Sequence, residues 1–381
     1  MTRCSKQQIK ALAAQVGLME VGVTDASPFP EMIPWLTAYA ERGRTGFEAA
    51  DIAQRIQPTS WLASAKSIVV AALPYLTDTG HTTARTHPRG RQHGNVSTYV
   101  YGTDYHHVLT ERLRDLGERL TDLYGQNVEY KVAVDMSPLV DRRVAERAGL
   151  GWVGKNCMFY SHRYGSFVFL GALLVNVEIE SNNQPPALGS RCGECALCLK
   201  ACPTGALVAP GVIEATRCLS YVTQMKGVIP REFRSKMGRR VWGCDVCQWV
   251  CPENSGAEHS DIPAFEPLPE LAYPDLIEFL HLSNRQFLRR YGHTALAWRG
   301  LRTLQRNALI ALGNAGHVEA IAEIIPFLQH ARQELRVSAA WALGQLGGQE
   351  ALVALESALA QELDEVVSDE LKQAIKRVMM H

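Results

Sequence analysis

Hydrophobic and polar residues follow two different periods in the first half of the chain. Apolar positions recur at helical spacing over residues 9–16 and 110–124, and charged side chains occupy the opposite face of the second segment. Three compact apolar runs have the length of buried strands, at residues 67–73, 128–134 and 167–177. These helices and strands predict a mixed α/β domain over residues 1–185.

The last part of the chain contains an internal repeat. Residues 304–316 align with residues 335–347 at a constant offset of 31, which places Gly313 on Gly344. Small residues at matching places let neighbouring helices approach closely, and this period is typical of HEAT-like α-helical repeats. Because two clear copies are fewer than such an array needs alone, we expect the repeat domain, residues 259–381, to pack against the rest of the protein.

The length of 381 residues and the hydrophobic content of 46% allow two or three domains with sizeable cores. The longest apolar stretches are too short to span a bilayer, and the amino terminus does not have the charged and then apolar pattern of a secretory leader. The sequence therefore predicts a soluble, cytoplasmic, monomeric protein that has no membrane partner.

The formal net charge is zero, but the charges are unevenly distributed. No acidic residue occurs between Glu278 and Glu319, a stretch that contains Arg285, Arg289 and Arg290. A second basic run contains Arg231, Arg234, Arg239 and Arg240. Most charge runs are solvated faces, but arginines on the first helices of a solenoid also suit a polyanion, because phosphate contacts come mainly from Lys and Arg.

Eight of the ten cysteines lie within residues 192–251. The first four form a C-x2-C-x2-C-x3-C-P run, which is typical of ferredoxins with two iron–sulfur clusters and whose fourth cysteine ligates the other cluster. A partial second run follows, with Val241 where a complete run would have a cysteine. We therefore predict a ferredoxin-like domain over residues 186–258 in which one 4Fe–4S cluster is bound by Cys192, Cys195, Cys198 and Cys251, and the other by Cys202, Cys218, Cys244 and Cys247.

Zinc and disulfides explain the cysteines less well. A structural zinc site needs only two C-x2-C pairs, which leaves the third close cysteine and the Cys-Pro ends without a reason. Disulfides suit secreted chains, and the sequence predicts no secretory leader. Electron transfer through two clusters is therefore the expected chemistry of this segment.

A second candidate for chemistry is Asp135, which follows the predicted strand at residues 128–134. A carboxyl group at the end of a strand can face a cofactor crevice and serve as a general acid. Asp is also a favoured helix cap, and a helix is expected to begin near Pro138. Spacing alone favours the cap.

Several motifs resemble those of epoxyqueuosine reductases. They comprise the eight cysteines together with Tyr101-Gly-Thr-Asp-Tyr-His106, Val134-Asp-Met-Ser-Pro-Leu139, Ala148-Gly-Leu-Gly-Trp-Val-Gly-Lys-Asn156, Gly165-Ser-Phe-Val-Phe-Leu-Gly171, Cys218-Leu-Ser-Tyr221 and Gly243-Cys-Asp-Val-Cys-Gln248. The resemblance covers the chain from near its start to about residue 258, and the terminal repeats fit the longer members of that family.

This resemblance implies an α+β multidomain enzyme with an α/β, nitroreductase- and reductive-dehalogenase-like domain that binds cobalamin. Electrons would pass from two 4Fe–4S clusters to cobalamin and remove the epoxide oxygen of epoxyqueuosine at the wobble position of tRNA. The family's proton donor matches Asp135, and cobalamin would be lined by Arg55, Tyr101, Asp135, Ser220, Cys244 and Asp245. His106 and His107 are expected to be structural, because the family's cobalamin is held without a protein histidine ligand.

Two other functions remain open at this point. A corrinoid-dependent reductase of a small organic molecule would share every redox residue but would gain nothing from the arginine-rich repeats. An electron carrier with a docking solenoid would bind clusters but no corrin. The favoured prediction is a tRNA-modifying reductase that binds the anticodon stem–loop through the two arginine runs. It would receive electrons from an external donor.

Overall fold

The computed structural model describes residues 5–86, 90, 92–124, 128–181 and 183–380. The helices in chain order are α1 Lys6–Gln15, α2 Ile33–Glu41, α3 Ile52–Arg55, α4 Asp78–Arg85, α5 Tyr105–Tyr124, α6 Asp141–Arg147, α7 Leu197–Ala201, α8 Leu219–Val222, α9 Arg231–Met237, α10 Val246–Trp249, α11 Pro269–Ala272, α12 Leu276–His281, α13 Asn284–Tyr291, α14 Leu301–Ala315, α15 Ile321–Ile324, α16 Gln333–Leu346, α17 Gln349–Leu359 and α18 Glu365–Met379. The strands are β1 Val21–Asp25, β2 Ser67–Pro74, β3 Asn95–Val96, β4 Tyr130–Ala133, β5 Gly151–Val153, β6 Phe159–Ser161, β7 Val168–Val175, β8 Leu207–Ala209, β9 Val212–Ile213 and β10 Arg240–Trp242.

The chain forms two compact units, and neither is continuous in sequence. Unit 1 comprises residues 1–78, 103–216 and 246–265, and unit 2 comprises residues 79–102, 217–245 and 266–381. The segment predicted to be ferredoxin-like therefore contributes to both units. The predicted division into residues 1–185, 186–258 and 259–381 stays a prediction about the sequence. None of the described helices is long and apolar enough to cross a membrane.

Unit 1 is built on a four-stranded antiparallel sheet with the order β1-β2-β7-β4. Every residue of β2 is buried, as expected for a central strand with both faces covered. Helix α5 packs on β7, where a Cβ at Gly171 would lie 2.8 Å from side-chain atoms of Leu109 and Leu113. The helices predicted over residues 9–16 and 110–124 and the three predicted strands are confirmed, with bounds shifted by a few residues.

The repeat helices of unit 2 pack as the sequence predicted. A Cβ at Gly313 in α14 would lie 2.9 Å from the Cα of Ala342 in α16, and a Cβ at Gly344 would lie 2.8 Å from the Cβ of Ala374 in α18. These two glycines occupy matching places of the repeat. Their missing side chains let α14, α16 and α18 approach one another closely.

Polar side chains of α14 bind the backbone of the segment at residues 217–245. The guanidinium of Arg306 is buried and donates to the carbonyl oxygens of Met225 and Gly227, each at 2.7 Å. The amide of Asn307 donates to Thr223 O and Val241 O, both at 2.7 Å. Arg306 belongs to the acid-free stretch, so part of that positive charge serves packing inside unit 2.

Candidate active site and cluster centres

Unit 1 contains a cavity of about 140 Å³ that is lined by Cys192, Cys195, Cys198 and Cys251. These are the four ligands predicted for the first cluster, and the structure brings them together around one space. Helices α7 and α10, which precede Cys202 and Cys251, lie side by side. The exposed side chain of Leu197, in α7, leaves this end of the unit open to solvent.

Polar groups from the β5–β6 hairpin surround the same cavity. The hydroxyl of Tyr160 is hydrogen-bonded to the sulfur of Cys251 and accepts from Asn156 Nδ2 at 2.8 Å. The Lys155 ammonium donates to Cys195 O at 3.1 Å and also to Gly193 O. Burial raises the pKa of the Cys251 thiol, and the Tyr160 hydrogen bond opposes that rise. A buried thiolate needs a nearby positive charge to stay deprotonated, and a bound metal centre would supply that charge. These residues therefore fit an iron–sulfur cluster.

The four cysteines predicted for the second cluster are divided between the units. Cys202 caps the end of α7, and Cys247 lies in α10, both in unit 1. Cys218 caps the start of α8, and Cys244 follows β10, both in unit 2. Their assignment to one cluster stays a prediction.

Asp135 lies in the loop between β4 and α6. Helix α6 begins at Asp141 and its cap residue is Val140, so the prediction that Asp135 caps this helix is wrong. The backbone of Asp135 has a φ of 51°, a left-handed conformation that is uncommon outside glycine and often marks functional sites. Its carboxylate accepts a hydrogen bond from the Tyr105 hydroxyl and lies 3.8 Å from Nε2 of His106.

Two arginines and a second carboxyl group share the electrostatic environment of Asp135. Burial and the charge of Asp135 raise the pKa of Asp141 to about 8, while Arg142 and Arg55 oppose the rise. Burial lowers the pKa of Arg55. Asp141 therefore retains a proton near neutral pH.

Asp245, one of the predicted cofactor residues, is fixed by hydrogen bonds inside unit 2. Its buried carboxylate accepts from Thr98 N at 2.7 Å, from Thr98 Oγ1 at 3.1 Å and from Ser97 Oγ. The backbone before Cys244 is equally constrained, because Gly243 has a φ of 68° and a Cβ there would lie 2.5 Å from the Cβ of Ser97.

Tyr101 and Ser220 lie in the same unit. Tyr101 is buried, and burial followed by the charges of Tyr273 and Asp245 raises its pKa. The carbonyl and hydroxyl oxygens of Ser220 accept from Gln224 Nε2. Near β3, His93 Nδ1 and Asn95 Oδ1 are buried without a hydrogen-bond partner among the described residues. Buried polar atoms are rarely left unpaired, so this part of unit 2 fits a site that a bound polar group completes.

The predicted RNA-binding arginines differ in their surroundings. Arg285 and Arg289 of α13 are exposed, whereas Arg290 pairs with Glu278. Arg234 is buried and, like the half-exposed Arg231, lies 2.7 Å from Oε2 of Glu370. The guanidinium groups of Arg239 and Arg240 donate to Gly90 O and Met237 O. Arg234 therefore stabilises unit 2 and presents no charge to a ligand.

The sequence analysis did not identify Trp298 as a candidate site residue. Its side chain is 54% exposed at the start of the repeats. The Arg299 guanidinium lies 3.8 Å from the centre of the Trp298 ring. The indole Nε1 of Trp298 donates to Gln224 Oε1 at 3.1 Å. Gln224 is the residue that also binds Ser220. An exposed tryptophan within the arginine-rich stretch was the available signal.

Comparisons with known proteins agree with these features. A family model described as a 4Fe-4S double cluster binding domain matches residues 191–254, which confirms the prediction of two clusters. A model for epoxyqueuosine reductase QueG, DUF1730, matches residues 55–136, and a HEAT-repeat model matches residues 301–376.

Whole-length relatives carry the same name. Epoxyqueuosine reductase of Bacillus anthracis is 39% identical over 373 residues, 97% of each chain. A crystal structure of epoxyqueuosine reductase with an epoxyqueuosine-modified tRNA-Tyr stem loop is 38% identical, covers 98% of each chain and superposes with a TM-score of 0.91. A Bacillus subtilis structure in which the loop of the catalytic aspartate is swung out of the active site has a TM-score of 0.90 at 38% identity, over 98% of each chain. This chain belongs to the epoxyqueuosine reductase family.

Proposed function

We propose that this protein reduces epoxyqueuosine to queuosine at the wobble position of tRNA. The observation that carries the proposal is the whole-length match to epoxyqueuosine reductases, one of them in complex with a modified stem loop. The cluster cavity and the Asp135 loop supply the parts that such a reaction needs. The protein would act as a cytoplasmic monomer that receives electrons from an external donor.

The cofactors would be two 4Fe–4S clusters and cobalamin. As in the family that the protein resembles, Arg55, Tyr101, Asp135, Ser220, Cys244 and Asp245 would line the cobalamin. When bound, the clusters and cobalamin supply the electrons that break the epoxide C–O bond. The protein contributes the polar surroundings: the fixed Asp245 turn, the unpaired atoms of His93 and Asn95, and the acid at Asp135.

Asp135 would protonate the oxygen of the opening epoxide. Breaking the C–O bond leaves negative charge on that oxygen, and a positioned acid lowers the barrier by neutralising it. The Tyr105 hydroxyl holds the Asp135 carboxylate in place. The movable loop of the Bacillus subtilis relative supports a similar role for the strained Asp135 loop.

The tRNA would contact unit 2 through Arg285 and Arg289, together with Arg231, Arg239, Arg240 and Arg290 where their side chains remain accessible. Arg234 leaves this set because it is buried. Trp298 would stack on an unpaired base of the anticodon loop, since aromatic side chains commonly hold splayed RNA bases. The neighbouring Arg299 adds positive charge to the same place.

The test is anaerobic reconstitution with iron, sulfide and cobalamin, followed by turnover of an epoxyqueuosine-bearing stem–loop. We expect eight iron atoms and one corrinoid per chain, formation of queuosine, and no reduction of chlorinated organic molecules. Reduction of the small molecules without turnover of the RNA would contradict the proposal.

RNA placement has its own test. Arg289→Gln should weaken stem–loop binding and reduce the slope of log affinity against log salt by about 1. Arg332→Gln, at the exposed cap residue before α16 and outside the acid-free stretch, is the matched control and should leave the slope unchanged. If the slope of log affinity against log salt were the same in both variants, α13 would not be part of the RNA interface.

A further inference from the structure

The chemistry of the proposed reaction demands more protons than Asp135 can hold. Converting an epoxide to an alkene consumes two electrons and two protons and releases one water molecule. The first proton neutralises the opened oxygen, and the second lets that oxygen leave as water. Because one carboxyl group stores a single proton, Asp135 must be reprotonated within each turnover or a second group must donate.

The loop and helix beside Asp135 contain a chain of polar groups suited to that task. Asp104 Oδ1 lies 2.8 Å from Nδ1 of His106 and accepts from the His106 backbone N–H at 3.0 Å. The opposite ring nitrogen, Nε2, lies 3.8 Å from Oδ2 of Asp135. All three residues belong to unit 1.

We propose that His106, oriented by Asp104, takes protons from solvent and delivers them to Asp135. With Nδ1–H bound to Asp104, the proton on Nε2 faces the Asp135 carboxylate. That proton passes from Nε2 to Oδ2 of Asp135, and from there to the substrate oxygen. Neutral His106 then takes a new proton from water, so the relay moves protons only. The inference rests on the proposed function.

Accessibility and electrostatics support the direction of transfer. The His106 side chain is 35% exposed, so water can reach the ring. Burial alone would lower the pKa of His106, but the hydrogen bond to Asp104 and the charges of Asp104 and Asp135 raise it above its ordinary value. The hydrogen bonds from His106 hold the pKa of Asp104 down, against the effect of burial. His106 therefore keeps its proton to a higher pH than an ordinary imidazole does, and Asp104 ionises at a lower pH than an ordinary aspartate does.

The other groups near this chain fix its geometry. The ring of Tyr105 stacks on Phe169 at 4.0 Å and on His106 at 4.1 Å, and its hydroxyl binds Asp135. Asp141 interacts electrostatically with Asp135, and its raised pKa of about 8 keeps it protonated near neutral pH. When substrate covers the loop and displaces water, a neutral imidazole–carboxylic acid pair becomes more favourable than the ion pair, which moves the proton onto Asp135.

The test compares His106→Ala with the matched control His107→Ala, a change at the next position of the same helix. We expect kcat to fall at least tenfold in His106→Ala, with KM for the stem–loop unchanged and activity partly restored by added imidazole. His107→Ala should retain wild-type kcat. Asp104→Asn should move the alkaline limb of the kcat–pH profile to lower pH, because His106 then loses its proton earlier.

A measurement that needs no turnover separates this inference from the proposed function. Histidine NMR titration of the wild-type protein, with the His106 signal assigned from His106→Ala, should give a titration midpoint that falls in both Asp104→Asn and Asp135→Asn. Unchanged midpoints, an unshifted pH profile, or loss of kcat that imidazole does not restore would overturn the relay. A wild-type enzyme that titrates as expected but does not turn over the stem–loop would instead refute the proposed function.

Discussion

Tyr160→Phe should lower the reduction potential of the first cluster. The phenol hydroxyl is hydrogen-bonded to the sulfur of Cys251, one of the four cysteines around the cavity in unit 1. Hydrogen bonds to cluster sulfurs stabilise the more negatively charged, reduced state, and their number is one determinant of cluster potential. Phe keeps the ring, which stacks on Trp152 at 4.7 Å, so the substitution removes the hydroxyl with little repacking.

The magnitude follows from the energy of that one hydrogen bond. A hydrogen bond to a charged group contributes about 1.5–3 kcal/mol. If about a third of this distinguishes the reduced from the oxidised cluster, the difference is roughly 0.5–1 kcal/mol. For a one-electron couple, 59 mV corresponds to a tenfold change in the equilibrium constant, so the potential should fall by about 20–45 mV.

Potentiometric titration followed by electron paramagnetic resonance measures both clusters in the same sample. One potential should fall and the other should stay within error, since the hydroxyl is hydrogen-bonded to Cys251, which is predicted to ligate the first cluster. Tyr164→Phe is the matched control, because Tyr164 is also buried but lies over Arg163. An unchanged pair of potentials in Tyr160→Phe, or an equal shift of both, would refute the reasoning.

Three further predictions concern catalysis and stability. Asp135→Asn should retain iron and cobalamin but lower turnover of the stem–loop by about 10²–10⁴-fold, and wild-type turnover in a steady-state assay would exclude a proton-donating role. Gly313→Val should reduce the free energy of unfolding by about 1–3 kcal/mol through overpacking against Ala342, measured by thermal unfolding beside Gly256→Val, where nothing lies within 4 Å of the new Cβ. Glu370→Gln should cost about 3–5 kcal/mol because it leaves the buried Arg234 without its ionic partner, and an unchanged melting temperature would show that the pair contributes nothing.

The features that the sequence predicted correctly, such as the apolar strands and the repeat glycines, depend on the spacing of neighbouring residues. Three cysteines of the run, Cys192, Cys195 and Cys198, line one cavity together with Cys251, because turn geometry places residues three apart around one centre. The strands around β2 and β7 followed from uninterrupted apolar runs. The repeat offset located the glycines at which α14, α16 and α18 meet.

Tertiary contacts decided the rest. The cap expected at Asp135 was wrong because residues 134–139 form bends and α6 starts only at Asp141. Arg234 resembles any exposed arginine in sequence, and only its contact with Glu370, far along the chain, shows that it is buried. The meeting of His106 with Asp135 depends on the packing of α5 beside the β4–α6 loop, which no residue spacing reveals.

The contacts inside unit 2 give the repeat helices a structural role as well as the proposed RNA-binding one. The segment at residues 217–245 carries Ser220, Cys244 and Asp245, yet within unit 2 its backbone is bound by side chains of α14. Arg306 alone donates to the carbonyls of Met225 and Gly227, and Asn307 joins Thr223 to Val241 across the segment. The buried carbonyls of Thr223 and Val241 would lose these hydrogen bonds if α14 were absent, at a cost of about 1–3 kcal/mol apiece. The repeats therefore hold in place the segment that carries the proposed cofactor residues.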